Sequence, residues 1–337
     1  MTILGIETSC DETAAAIVED GVKIISNIVA SSQSLHAKFG GIIPENAARE
    51  QVKSMIPVIK EALITDIDAI AVTIGPGLIG SLLVGVETAK TLALVWKKPI
   101  IPVNHLVGHI YANWIDSGQA RMTPEFPALV LIVSGGHTEL VLMKGHGQFK
   151  LIGSTRDDAA GECFDKCARI LNLGYPGGPA IEKAALKRSH PAGWRGETLP
   201  RPMINQKNYD FSFSGLKTAV MNEFKKDDPL AKGSSFSNFL AYELQEAITD
   251  VLIKKTLRAA AEFKVKNILL AGGVAANKRL REKFLKDDPL AKGSSFFFPP
   301  INLCTDNAAY IASAAFFNFN PVPWQKIFAD PRLDLTQ

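Results

Sequence analysis

Twice along this chain, three strand-like runs rich in Val and Ile come in close succession and then give way to helices alternating with further strands. The first trio covers residues 2–7, 14–19 and 23–30, and the second covers 127–133, 139–143 and 148–154. Short β-branched runs bounded by Gly, Asp and Ser turns read as strands. After the first trio, Val52, Met55, Ile56, Ile59 and Leu63 recur at helical spacing, and Pro57 within that stretch predicts a kink or a break. Strands at 68–74 and 99–103 follow, with a helix after Gly77 between them. After the second trio, Leu240, Leu244, Ile248, Val251 and Leu252 mark one face of a long helix, and a buried strand at 267–271 runs into Gly272 and Gly273. The repeated pattern predicts an α/β chain with a duplicated βββαβαβα core, one copy per lobe, and a cleft between the lobes.

The actin, sugar-kinase and heat-shock-chaperone ATPases are built in this way. The expected lobes are residues 1–122 and 123–306, with 307–337 packing back on the first. A chain of 337 residues is long enough for two cores. Its 47% hydrophobic and 21% charged content excludes a disordered tail. The 37 Lys and Arg exceed the 34 Asp and Glu by only +3, so any RNA site must be a local patch rather than a global charge effect. Cys10, Cys163, Cys167 and Cys304 form no CxxC pair and read as reduced thiols. The start lacks a basic segment and carries Glu7 where an apolar signal core would continue, and the longest apolar runs are too short to span a bilayer. These features predict a cytoplasmic protein with no membrane partner.

The sharpest chemical signal is His105-Leu106-Val107-Gly108-His109. A helix beginning after the strand that ends near Val103 puts both imidazoles on one face, able to reach one metal ion. The glutamate of the HExxH zinc proteases is missing, so their general base is absent. Spacing does not name a third ligand. Glycine-containing turns at 5–13 and 133–138 occupy corresponding places in the two copies, where small residues let backbone N–H groups approach phosphate oxygens. Residues 271–277 join a strand to a helix and offer a flat backbone surface beside Asn277; residues 75–80 read as close packing. Cys163 and Cys167 lie four apart around Asp165 and read more simply as buried helix-face thiols than as a metal or redox site. Asp165 and Lys166 face either solvent or a ligand. Residues 226–236 recur letter for letter at 286–296, a polar stretch that reads as a turn copied into a second surface loop with no catalytic role.

Taken in order, residues 5–13 (GIETSCDET), 40–45 (GGIIPE), 75–80, 105–109, 133–138 (VSGGHT), 161–166 (GECFDK), 175–179 (YPGGP), 210–218 (DFSFSGLKT), 272–277 and 304–307 (CTDN) resemble the TsaD family of tRNA N6-adenosine threonylcarbamoyltransferases along nearly the whole chain. The resemblance implies the actin-like fold and a metal held by His105, His109 and Asp306, ferrous iron with zinc as an in vitro substitute. It puts L-threonylcarbamoyladenylate against Ile132, Val133, Ser134, Gly135, Gly136, Asp165, Gly178 and Asn277, with Asp165 on the ribose hydroxyls. Its reaction gives t6A at adenosine 37 of tRNAs reading ANN codons, and AMP. Asp11, Glu12 and His137 are the candidates for proton transfer or positioning. Implied partners are tRNA, a TsaB-like paralogue, a TsaE-like ATPase and a TsaC-like enzyme that supplies the adenylate; the helix at 44–63 is the expected docking surface for the paralogue. Two departures stand out: Gln51 occupies a place where histidine is expected, and 63–66 is short. A sugar-kinase-like ATPase would leave the paired histidines without a purpose, a metalloprotease would lack its glutamate, and non-catalytic relatives of this fold lack the histidine pair.

Overall fold

The computed structural model describes residues 1–37, 39–115, 123–188, 199–225, 229–286 and 295–335. An antiparallel meander opens the chain: β1 (Thr2–Glu7), β2 (Glu12–Glu19) and β3 (Lys23–Ser31). Then come α1 (Gln33–Ala37), α2 (Pro44–Ala62), β4 (Ala69–Gly75), α3 (Ile79–Trp96), β5 (Ile100–Asn104) and α4 (His105–Tyr111). β4 and β5 add in parallel on the far side of β1, so the sheet order is β3-β2-β1-β4-β5.

The second half repeats the scheme with β6 (Ala128–Val133), β7 (Thr138–Gly145) and β8 (Gln148–Ser154), followed by α5 (Ala160–Ile170), α6 (Gly177–Ala185), α7 (Ser214–Lys225), α8 (Pro229–Glu262), β9 (Asn267–Ala271), α9 (Lys278–Lys286) and β10 (Ser295–Phe297). Its sheet order is β10-β9-β6-β7-β8. Read from the β8 edge, this is again third, second, first, fourth, fifth. The two sheets therefore share one topology. α10 (Ala309–Phe317) is the last α-helix among the described residues.

Two compact units result. The first comprises Met1–Phe126, Met143–Lys150 and Pro299–Gln337, and the second comprises Pro127–Leu142 and Leu151–Phe298. The first unit thus takes in the β7–β8 connection, and its closing segment starts at Pro299 instead of at 307, which puts Asp306 in the same unit as His105 and His109.

Within the first unit, β1 is covered on both faces. Leu4 and Ile6 pack into a core with Met55 and Ile59 of α2 and Val86 of α3. Gly5, pointing the other way by strand alternation, lets α10 come close; a Cβ there would lie 2.3 Å from the Ala308 carbonyl oxygen. α3 is apolar and long enough to cross a membrane by length and composition, yet here Leu82, Val86, Ala89 and Ala93 are buried on the sheet. Pro57 does not break α2, which is helical from Pro44 to Ala62. A proline removes one i−4 bond, and the burial of Met55, Val58, Ile59 and Ala62 on either side of it holds the helix. The buried face also differs from the sequence reading: Ala47 and Gln51 face inward, while Val52 and Ile56 are 64% and 51% exposed.

The repeated stretch is corrected too. Residues 226–228 and 287–294 lie outside the described residues. Where described, Ser235 and Phe236 of the first copy belong to α8, with Phe236 buried, whereas Ser295 and Phe296 of the second belong to β10.

Candidate active site

Asn104 determines where the histidine helix begins. Its side-chain oxygen accepts from the backbone N–H groups of Leu106 and Val107 at 2.9 and 3.4 Å, an N-cap that starts α4 at His105. One turn later comes His109, with the two ring centroids 4.6 Å apart. Gly108 between them lets α10 press close, since a Cβ there would lie 2.6 Å from Ile311 and 2.7 Å from the Tyr310 ring. On the α10 side, Asn307 caps the helix by accepting from Ala309 and Tyr310 N–H while its amide holds the Thr305 carbonyl, and this fixes the turn bearing Asp306.

The result is a group of three donors: Nε2 of His109 lies 3.3 Å and Nε2 of His105 3.7 Å from Oδ1 of Asp306, and the ligand atoms of all three lie within 4.8 Å of one another. Two imidazoles and a carboxylate converging in a largely buried place suit a divalent first-row ion. A metal ion fits the residues present.

Electrostatics around the group are strong. Burial opposes a proton on His105, but the negative charges of Glu7 and Asp306 outweigh it and raise its pKa to about 9. For His109, burial and then the charge of His105 prevail over the Asp306 hydrogen bond and lower the pKa. Burial pushes Asp306 upward, yet the two histidines and the Tyr310 hydroxyl hold it at about 2. The carboxyl of Glu12 is pushed up to about 10, by burial first and then by the charges of Asp306 and Asp11.

Asp11 and Glu12 lie in the same unit as this group. Their turn is tied down by Gln51, whose amide donates to the carbonyls of Cys10 and Glu12 at 3.1 and 2.9 Å, and by the Ser81 hydroxyl on Cys10. His137 belongs to the second unit.

The predicted substrate residues all fall in the second unit, and glycines draw them together. Ile132 and Val133 end β6, fully buried. The turn that follows is closed by Ser134 N–H to the His137 carbonyl, 2.9 Å, and His137 N–H to the Ser134 hydroxyl, 3.2 Å. Gly161 of α5 and Gly272 after β9 press on this turn; a Cβ on either would come within 2.5 Å of the Ser134 or Val133 carbonyl oxygen. Gly272 also has φ +88°, a backbone conformation that favours glycine. Gly135, Gly136 and Gly178 are open, with nothing where a side chain would stand.

Asp165 is joined to the α6 start by Gly177 N–H at 2.6 Å, and burial raises its pKa despite that bond. Asn277 is spent on the protein itself: its oxygen accepts from Leu280 N–H and its amide donates to Gln245. The side chain therefore shapes the start of α9 and does not reach outward. Cys163 and Cys167 are buried on α5, as a structural reading of that pair expects.

Sequence reasoning left out Glu7 and Ser9 behind His105, Tyr310 beside Asp306, and the structural work of Gln51. Asn104 immediately before the paired histidines was a legible helix-start signal.

Fold and site together define a chain of the actin-like ATPase fold with a paired-histidine and aspartate group in its first unit. Solved structures agree on the fold. T. kodakarensis HypF superposes with a TM-score of 0.57 at 15% identity, covering 94% of this chain and 47% of that one. The Acidaminococcus fermentans (R)-2-hydroxyglutaryl-CoA dehydratase component A gives 0.53 at 15%, covering 94% and 98%. The family model for TsaD, tRNA N6-adenosine threonylcarbamoyltransferase, matches residues 23–313, and the chain belongs to that family. Relatives bearing that name include one from Thermomicrobium roseum, 52% identical over 94% of this chain and 92% of its own length, and one from Bacillus subtilis, 50% identical over 95% and 91%.

Proposed function

We infer that this chain moves the threonylcarbamoyl group of L-threonylcarbamoyladenylate to N6 of adenosine 37 in tRNAs reading ANN codons, giving t6A and AMP. The observation that carries this reading is about 50% identity over nearly the whole chain to transferases of that name, in a chain that keeps His105, His109 and Asp306 together. In the transfer, the N6 nitrogen bonds to the carbamoyl carbon, the bond from that carbon to the phosphate oxygen breaks, and the N6 proton passes to a base.

The chain's own residues supply the binding and proton handling. Backbone N–H groups of Gly135 and Gly136, with no side chain over them, take the phosphate. Asp165 binds ribose hydroxyls through the oxygen that Gly177 does not use. Ile132, Val133, Ser134 and Gly178 shape that surface, and Asn277 supports it from behind. Asp11, Glu12 and His137 are the candidates for taking the N6 proton or positioning the substrate.

His105, His109 and Asp306 would hold one ferrous ion per subunit, with zinc as the in vitro alternative; when bound, the ion supplies Lewis acidity where oxygen gains negative charge. The exposed Val52 and Ile56 of α2 form the contact for a TsaB-like paralogue, with a TsaE-like ATPase supporting turnover and a TsaC-like enzyme making the adenylate. A tRNA substrate places the protein in the cytoplasm.

Mass spectrometry of tRNA nucleosides after incubation with the adenylate and the partner proteins tests the assignment. Formation of t6A with AMP is the expected result; unmodified tRNA under those conditions, or phosphorylation of a small sugar, would overturn it.

A further inference from the structure

Resting on the metal assignment above, we propose that Glu7 is a positioning residue that fixes which nitrogen of His105 carries hydrogen, and so presents Nε2 as the ligand atom. Glu7 ends β1 and is fully buried. Its Oε1 accepts the Ser9 backbone N–H at 2.5 Å. Its Oε2 accepts the Thr73 hydroxyl at 2.5 Å and lies 3.2 Å from Nδ1 of His105. A carboxylate can only accept, so Nδ1 must be the nitrogen that keeps hydrogen. When His105 takes a cation, the lone pair is then on Nε2, the atom that faces Asp306. Ser9 Oγ stands 3.1 Å from the same Nδ1, but a hydroxyl both donates and accepts and fits either tautomer. Glu7 alone discriminates.

His109 lacks such a partner. Its Nδ1 is buried with no hydrogen bond among the described residues. The centre therefore has one ligand whose tautomer a carboxylate fixes from behind and one whose Nδ1 has no such hold among the described residues. Carboxylates behind ligating imidazoles fix ring orientation and raise ligand basicity, and losing one costs about 10–100-fold in affinity.

Substitution by glutamine inverts the arrangement. The Ser9 N–H demands an oxygen at the Oε1 position, which puts the amide NH2 at the Oε2 position. There it can donate to the Thr73 hydroxyl and to Nδ1 of His105, but it cannot accept from Nδ1. The favoured tautomer then carries hydrogen on Nε2, where the ion should bind.

The test uses the full chain purified metal-free, with Zn²⁺ and Co²⁺ affinities read by competition with a chromophoric chelator and ring ¹⁵N shifts read on the Zn²⁺ form. Wild type should show His105 metal-bound at Nε2 with hydrogen on Nδ1. Compared on the high-pH plateau, where no proton on His105 competes with the ion, Glu7→Gln should bind about 10–100-fold more weakly. Thr73→Val keeps the carboxylate but removes one of its holds, and should lose affinity in the same direction by less; it carries the test if Glu7→Gln does not fold. Glu7→Gln affinity within about twofold of wild type, or metal on Nδ1 of His105 in the wild type, overturns the role of Glu7 alone. A wild type that takes up neither ion overturns the metal assignment, and the role with it.

Discussion

His105 stands between two carboxylates, and in the metal-free protein it holds a proton up to about pH 9 because Glu7 and Asp306 outweigh the effect of burial. A divalent cation must displace that proton at neutral pH. Affinity for Zn²⁺ should therefore climb about tenfold per pH unit from 7 toward 9 and level off above it. Chelator competition across that range measures the slope, and a flat profile would show that the proton is not there. His105→Ala combined with His109→Ala should strip bound iron or zinc and abolish transfer with circular dichroism unchanged; full metal content by elemental analysis would put the ligands elsewhere. Asp165→Ala should weaken binding of a stable adenylate analogue by about 1.5–3 kcal/mol if its ribose bonds are charge-assisted. Calorimetry reads that loss directly, and equal affinity would remove Asp165 from the ribose. At this scale the paired histidines were legible because a strand end and i, i+4 spacing suffice to place two rings on one face. Asp306 came only through its motif, since no local rule joins positions nearly two hundred apart. Glu7 was passed over because an acid ending a strand looks the same whether it faces water or an imidazole.

α2 shows how a periodic stripe can be read correctly as helix and wrongly as core. Val52, Met55, Ile56, Ile59 and Leu63 predicted the helix, yet only Met55 and Ile59 of the five are buried. The inward face uses Ala47, Gln51 and Ala62 as well, small or polar residues that hydropathy does not flag. Val52 and Ile56 are left exposed, as are Ile79 and Leu83 on α3, the helix packed beside α2. Val52→Glu with Ile56→Glu should weaken the proposed complex with a TsaB-like paralogue and leave the thermal midpoint nearly unchanged. Unaltered co-elution on gel filtration would move the contact away from α2. The duplicated Ser-Phe ends make the complementary point: identical letters are helix in α8 and strand in β10. Phe236 is buried, as are Leu240 and Leu244 one and two turns on, whereas Phe296 pairs with β9 and lies tilted against Phe284. Local propensity was too weak to decide between those surroundings.

For the molecule as a whole, the duplication was readable because both copies repeat the same order of strand and helix signals, and the shared sheet order bears that out. The three-part composition of the first unit was not readable, because membership of a unit depends on contacts rather than on pattern. Stability has a pH dependence of its own in the second unit. Lys255 of α8 is fully buried, donating to the Asn208 carbonyl at 3.1 Å. Burial, then the charge of Arg258, lowers its pKa to about 8. Between about pH 8 and the ordinary lysine value near 10.4, the unfolded chain keeps a proton that the folded one has shed, so stability should rise with pH across that window and fall back as pH drops through 8. Lys255→Met should raise the thermal midpoint at pH 7.5 and flatten this dependence; a lowered midpoint there would mean the ammonium's hydrogen bond outweighs its burial.

The scattered make-up of the first unit has a consequence for synthesis on the ribosome. At about 5–20 residues per second, the nearly two hundred residues separating His109 from Asp306 take roughly 10–40 s to emerge. Throughout that interval the nascent chain carries the imidazoles without the carboxylate, and Gly5 and Gly108 wait for the helix that packs against them. The second unit, contiguous but for one short excursion, is complete before the first can close. A chain clipped between Phe298 and Asp306 would therefore present a finished second unit and a first unit that lacks the carboxylate of its proposed metal group, so metal loading should report on whether translation ran past that point.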